Sequence, residues 1–234
     1  MNRNGGFSLA VAGLILAGLP CTAQLQPART IILIGPPGSG KTVQADYLRK
    51  RYKIPAISMA QLLEHEVNRK SATGRSLASS LASGELLSDD SANEVMHSRL
   101  LQADAGRGFI LDVYPVSPGQ AKVLDAWLVE NGLPKPAVII IDVPDDISRT
   151  RLLKRHRADD TPANIARRLQ EYKDVGRVVE GWYGAQRTAK VDGTAPVPEV
   201  AKRVAAAVES IHEQKQLKTR DSENEGLKRR EPQP

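Results

Sequence analysis

The chain has 234 residues, 41% of them hydrophobic and 26% charged, which fits one soluble globular domain and leaves little room for a second. Aromatic residues are only 4%, so the core must be built from Leu, Ile, Val and Ala. The net charge of +6 is spread among interleaved acids, and no aromatic-basic stripe of the kind that stacks bases is present. No nucleic-acid partner is therefore expected, and positive charge gathered around phosphates accounts for the excess.

The N-terminus opens with a basic stretch and an uninterrupted apolar run, Phe7–Leu19, followed by small residues before Gln24. That layout predicts a signal peptide over 1–23 and a periplasmic or secreted protein, the run being too short for a stable membrane span. The alternatives are a buried hydrophobic N-terminal helix, or a mis-assigned start, in a cytoplasmic protein. Cys21 is the only cysteine, so no disulfide or thiolate chemistry is expected after cleavage.

The β-branched run Thr30–Ile34 predicts a buried strand ending at Gly35, with a helix from about Gly40 to Arg51. Ile54–Ser58 reads as a second strand, broken by Pro55 at its start. Helical patterns then run from Met59 to about Ala105. Phe109–Val113 is a strand, Pro118–Glu130 a helix closed by Asn131-Gly132, and Ala137–Val143 the most apolar strand. Pro144-Asp145-Asp146 opens a helix to about Arg155, and Thr161 with Pro162 caps a long one. A short strand ends at Asp192, and Val200, Val204, Val208 and Ile211 share one face of a last helix. After Glu213 the chain is polar and is expected to be a disordered tail. Strands alternating with helices in near-continuous apolar runs predict an α/β fold, a doubly wound parallel sheet of about five strands between helical layers.

Gly35-Pro36-Pro37-Gly38-Ser39-Gly40-Lys41-Thr42 matches GxxxxGK[ST] between a predicted strand and helix, the context that gives the motif its meaning. The glycines let backbone N–H groups turn inward around a phosphate at a helix N-terminus. Lys41 is expected to reach the β- and γ-phosphates of ATP, and the Thr42 hydroxyl to ligate Mg2+. Asp112, closing its strand, is the candidate second metal residue.

With these motifs in place the chain resembles the adenylate kinase family, over about Ile31 to Gly193. The phosphate loop continues into Val43-Gln44 as in that family, and Gly108–Pro115 (GFILDVYP) is similar to its GFILDGFP segment. VPDDISRTRLLKR followed by RADDTPANIARRLQEY is similar to the family's lid and following helix. The resemblance implies a monomeric P-loop kinase domain over 24–212, with an acceptor-binding segment at about 58–88 and a short lid at about 155–160. It implies that Arg151 lies on the ATP adenine and that Arg155, Arg157 and Arg168 surround the transferred phosphoryl group, with Asp159 and Asp160 the paired lid aspartates. It implies acceptor contacts from Ser58, from the backbone at Leu86 and from Gln120. Guanidinium forks suit a transition state whose charge spreads over equatorial phosphoryl oxygens.

The acceptor half departs from the family pattern. ISTGDLLR reads here Ile57-Ser58-Met59-Ala60-Gln61-Leu62-Leu63-Glu64, so an arginine that grips the acceptor phosphate is Glu64. The second such arginine, after Tyr114-Pro115, is Val116, and the glycine after Asp112 is Val113. At roughly 1.5–3 kcal/mol for each charge-assisted contact, the loss weakens AMP binding by about a thousandfold or more. Only His156 separates Arg155 from Arg157, and the four scattered histidines have no metal-ligand spacing. The reading is an ATP-dependent phosphotransferase acting on a nucleotide or other small acceptor. The competing readings are a nucleotide-binding module that has lost acceptor chemistry and a nucleic-acid-dependent NTPase, which lacks its further motifs.

Overall fold

A computed structural model describes residues 29–69, 74, 75, 78, 87–157 and 160–228. The N-terminal run, Leu86 and Asp159 lie outside the described residues. Five strands, β1 (Arg29–Ile34), β2 (Ala56–Ser58), β3 (Gly108–Asp112), β4 (Ala137–Asp142) and β5 (Thr188–Asp192), form one sheet in the order β2-β3-β1-β4-β5. Every neighbouring pair is parallel. The helices are α1 (Lys41–Tyr52), α2 (Met59–Asn68), α3 (Asp89–Leu100), α4 (Pro118–Glu130), α5 (Asp145–Arg155), α6 (Pro162–Tyr183) and α7 (Val197–Lys228), with a 3-10 turn at Ala103–Ala105.

The central strands β1, β3 and β4 are apolar on both sides because both faces are covered. Ile32, Ile34, Phe109, Leu111, Val138 and Ile140 pack on one side, with Leu124 and Leu128 of α4, Met96 of α3 and Val179 of α6. Ile31, Leu33, Ile110, Ile139 and Ile141 point the other way, onto Leu48 of α1 and Val200, Val204 and Val208 of α7. The period-2 alternation of each strand thus builds two separate cores, and the expected three-layer α/β architecture is present.

Boundaries differ where local chemistry decides. The second strand starts at Ala56 rather than Ile54, because Pro55 has no N–H to give the ladder. Its carbonyl still accepts the Ile110 N–H at 2.9 Å. The polar stretch after Glu213, expected to lack structure, continues α7 as helix to Lys228, and its Glu, Lys, Gln and Leu residues are all good helix formers. Among the described residues no helix is long and apolar enough to cross a membrane.

Glu209 of α7 clamps the first βα unit. Its carboxylate meets the Arg29 guanidinium at 2.8 Å and accepts the Tyr52 hydroxyl at 2.9 Å. Burial, with Glu209 alongside, pushes that hydroxyl up to about 12, so it remains a donor. Arg29 also stacks 4.6 Å above the Tyr52 ring.

The third strand ends one residue before the predicted Val113, which takes φ 63°. A β-branched side chain in the left-handed region is strained by about 1–2 kcal/mol, and Val113, 46% exposed, gains little from packing there. Val113→Gly is therefore expected to stabilise the fold by about 0.5–1 kcal/mol net of glycine's chain entropy. Urea denaturation checks this, and an unchanged or lowered midpoint counts against it.

Candidate active site

The turn between β1 and α1 is compact because side chains are absent where the chain closes on itself. A Cβ at Gly35 would lie 2.7 Å from the Ser39 Oγ and 2.8 Å from the Ile141 carbonyl. Gly40 has φ 90° and caps α1 with no side-chain hydrogen bond, and no acidic residue occupies the first turn. The Val43 and Gln44 N–H groups turn back to the Gly40 carbonyl at 3.0 and 3.1 Å, and the helix N-terminus ahead of them, at Lys41 and Thr42, suits an external anion. Pro37, Gly38 and Ser39 complete the bend, where the Ser39 N–H donates to the Pro36 carbonyl at 3.1 Å.

The Lys41 ammonium lies back over this loop, donating to the Gly35 carbonyl at 2.7 Å and the Pro36 carbonyl at 3.2 Å. Burial lowers its pKa, the Asp112 charge opposes that, and the Arg168 charge adds to it. Burial raises the Asp112 carboxyl in turn, against the pull of Lys41. Lys41 thus feels the charges of both Asp112 and Arg168, although the three come from α1, β3 and α6. Register brings Asp112 there: it pairs with Leu33, one residue before β1 ends. One Asp112 oxygen, Oδ1, is buried with no hydrogen-bond donor. Asp112 and Thr42 line a cavity of about 240 Å³ together with Asp46, Arg49, Ser58 and Gln61. A carboxylate with an orphaned oxygen and a hydroxyl on one cavity supply hard oxygen donors of the kind that suit magnesium.

Arg155 and Arg168 meet on one carboxylate. Arg155 donates to Asp160 through Nε at 2.9 Å and a terminal nitrogen at 2.8 Å, and Arg168 reaches the same group at 3.4 Å. The Asp160 side chain is 1% exposed, while the arginines are 32% and 30% exposed. Arg157 meets Asp160 through its backbone, its carbonyl accepting the Asp160 N–H at 3.0 Å, and its side chain is exposed. Asp160 alone would read as a polar residue before a helix cap, so its organising role has no local signal. The Arg155 hydrogen bonds, then the arginine charges, hold its carboxyl below the ordinary 3.8. A depressed carboxyl contributes fully above its unfolded pKa and loses the contribution only as pH falls through the lower folded value. The cluster is therefore intact at neutral pH and loosens only in strong acid. Asp160→Asn keeps the shape but removes the charge, and is expected to lower turnover by about 10–100-fold through misplaced guanidiniums. Steady-state kinetics showing an unchanged kcat would contradict this.

Arg151 spans two loops, donating to the Gly38 carbonyl at 3.4 Å, the Gly193 carbonyl at 3.0 Å and the Thr194 carbonyl at 3.5 Å. On the acceptor side Ser58 precedes α2 without capping it through its side chain. The Gln120 side chain is committed inside the protein: its Oε1 accepts the Val116 N–H at 2.8 Å, and its Nε2 donates to Asp89 at 2.9 Å. Asp89 also accepts the Ser117 hydroxyl at 2.6 Å, fixing the loop that carries Val116. Asp89, Arg49 and Gln61 were not singled out as site residues, because only the fold brings them here. Glu64 is exposed on α2.

A family model described as adenylate kinase matches residues 33–188. The chain is 38% identical over 183 residues to an adenylate kinase of Stenotrophomonas maltophilia (strain R551-3), covering 76% of this chain and 98% of that protein. It is 39% identical over 183 residues to the adenylate kinase of Xanthomonas campestris pv. campestris (strain B100), with the same coverage. A second Stenotrophomonas maltophilia enzyme (strain K279a) is 37% identical over 185 residues, 77% of this chain and 99% of that one.

Proposed function

The chain belongs to the adenylate kinase family of ATP-dependent nucleotide kinases, and from that premise we propose that it transfers the γ-phosphoryl group of magnesium ATP and uses AMP poorly. The observation that carries the donor half is Lys41 laid onto the glycine loop, together with Arg155 and Arg168 gathered on Asp160. The acceptor oxygen attacks Pγ in line as the bond to the β,γ-bridging oxygen breaks, and ADP leaves. The loop N–H groups and Lys41 hold the β- and γ-phosphate oxygens. Arg155 and Arg168, with Arg157 at the rim, stabilise charge on the equatorial oxygens. Arg151 supplies a flat guanidinium against the adenine. Thr42 and Asp112 would hold magnesium, which neutralises phosphate charge when bound.

An acceptor whose attacking atom is already a phosphate oxygen needs no general base. It does need cations, and Glu64 and Val116 do not provide them. Ser58 and the backbone at Leu86 remain as acceptor contacts, while Gln120 is taken up in holding the loop that carries Val116, so a small acceptor with less negative charge than AMP, such as a hydroxyl compound, is favoured. The apolar run before Gln24 supports export of the protein, as a monomer, with residues 1–23 removed. A coupled ADP-release assay of the purified protein against nucleoside monophosphates and small alcohols tests the whole reading. An ADP-release rate that no acceptor of either class raises above the acceptor-free rate would refute it.

A further inference from the structure

We propose that water reaches the γ-phosphoryl group of ATP in this site, so that the chain is also an ATPase without any added acceptor. The inference rests on the donor site as read above and concerns what can attack there. Three observations carry it.

The first is how little chain lies between α5 and α6. Arg155 ends one helix and Pro162 begins the next, and that short connection is tied down at both ends. His156 turns left-handed at φ 54° to cap α5, Thr161 caps α6 with its side chain, and the Asp160 N–H closes onto the Arg157 carbonyl. The six residues from His156 to Thr161, with a helix cap at each end, leave little chain to arch over the phosphates. The exposure of Arg155 and Arg168, about a third each, shows that solvent reaches the guanidiniums that would face Pγ.

The second is that the two positions where the family pattern has acceptor-phosphate arginines carry no cation to help an anionic acceptor displace that solvent, Glu64 being a carboxylate and Val116 an isopropyl group. The third is the cavity beside Thr42 and Asp112. At about 240 Å³ it has room for several waters, and Ser58 and Gln61 line it with hydrogen-bonding groups. The Gln61 amide offers both a donor and an acceptor to one water, which suits it to orient a nucleophile that needs little activation. In the step, the water oxygen forms a bond to Pγ as the bond to the β,γ-bridging oxygen breaks. ADP and inorganic phosphate leave, and the water's surplus proton passes to solvent. Positioned cations do the catalysis, and all of them belong to the donor half.

The test incubates the full-length protein with magnesium ATP and no acceptor, measuring phosphate and ADP together. One phosphate per ADP is expected, with one oxygen-18 per phosphate in labelled water. Lys41→Ala is expected to lower the rate by about a hundredfold or more. Gln61→Leu is expected to lower phosphate release on the order of tenfold, with ATP affinity unchanged. ADP formed only with an added acceptor, and never with phosphate, would sink this inference and leave the kinase reading standing. Phosphate release equal in Lys41→Ala would also sink it, as a contaminating activity. No ADP under any condition, despite ATP binding, would sink both.

Discussion

Lys41→Ala is expected to reduce kcat/KM for ATP by about 10³-fold while leaving the protein folded. The ammonium sits at the mouth of the glycine loop, within hydrogen-bonding distance of two loop carbonyls. A charge-assisted hydrogen bond is worth about 1.5–3 kcal/mol, so ground-state ATP binding alone should weaken by roughly 10–150-fold. Charge that develops on the leaving ADP accounts for the rest. Stability should not suffer, because burial already works against this charge: its pKa is lowered chiefly by desolvation. The substitution also leaves Asp112 without the cation that opposes its own burial, which makes that carboxyl harder still to ionise. Calorimetry of ATP binding beside thermal unfolding separates the effects. Equal ATP affinity in wild type and variant would remove Lys41 from the donor site.

The second large effect is a gain. Glu64→Arg with Val116→Arg is expected to raise kcat/KM for AMP by about 10³-fold, mainly through a lower KM. Two guanidinium forks for one dianionic phosphate, at about 1.5–3 kcal/mol each, set that scale. The backbone at 116 is ready for the change: Gln120 holds its N–H, and Asp89 holds Gln120 and Ser117. A side chain added there projects from a fixed loop rather than from one that must first be ordered. The effect should be more than additive, since either arginine alone leaves the phosphate half held. Buried Met59, where the family pattern has threonine, can limit recovery at the base. Steady-state kinetics with AMP decides it, and a wild-type KM for AMP in the ordinary micromolar range would show that other cations already do this work.

The parts of the fold readable in advance were those with local causes. The β-branched runs, the glycine loop, Thr161 with Pro162 and the valine stripe of the last helix each carry their own signal. The site is legible to the same extent, since GPPGSGKT states its chemistry in eight residues. What stayed hidden depends on the register between distant segments. Nothing local says that Asp160 gathers Arg155 and Arg168, that Asp89 occupies the Gln120 amide, or that Gln61 and Asp112 line one cavity. Val113 shows the converse: the sequence marks the position as unusual, but only the backbone shows that valine has inherited a conformation suited to glycine.

The Arg151 tie has a consequence for how the molecule opens. Its guanidinium joins Gly38 to Gly193 and Thr194, just ahead of α7, and Glu209 within α7 returns to Arg29 and Tyr52, on the two elements that flank the glycine loop. The contacts close a circuit through residues 155 to 180 positions apart, so the first βα unit and the last helix cannot fray independently. They should exchange their amide hydrogens as one cooperative unit. ATP seated on the loop should then slow exchange along the buried part of α7, which no phosphate touches, by stabilising the unit both belong to. The C-terminal helix would thus act as a remote reporter of occupancy at the opposite end of the sequence.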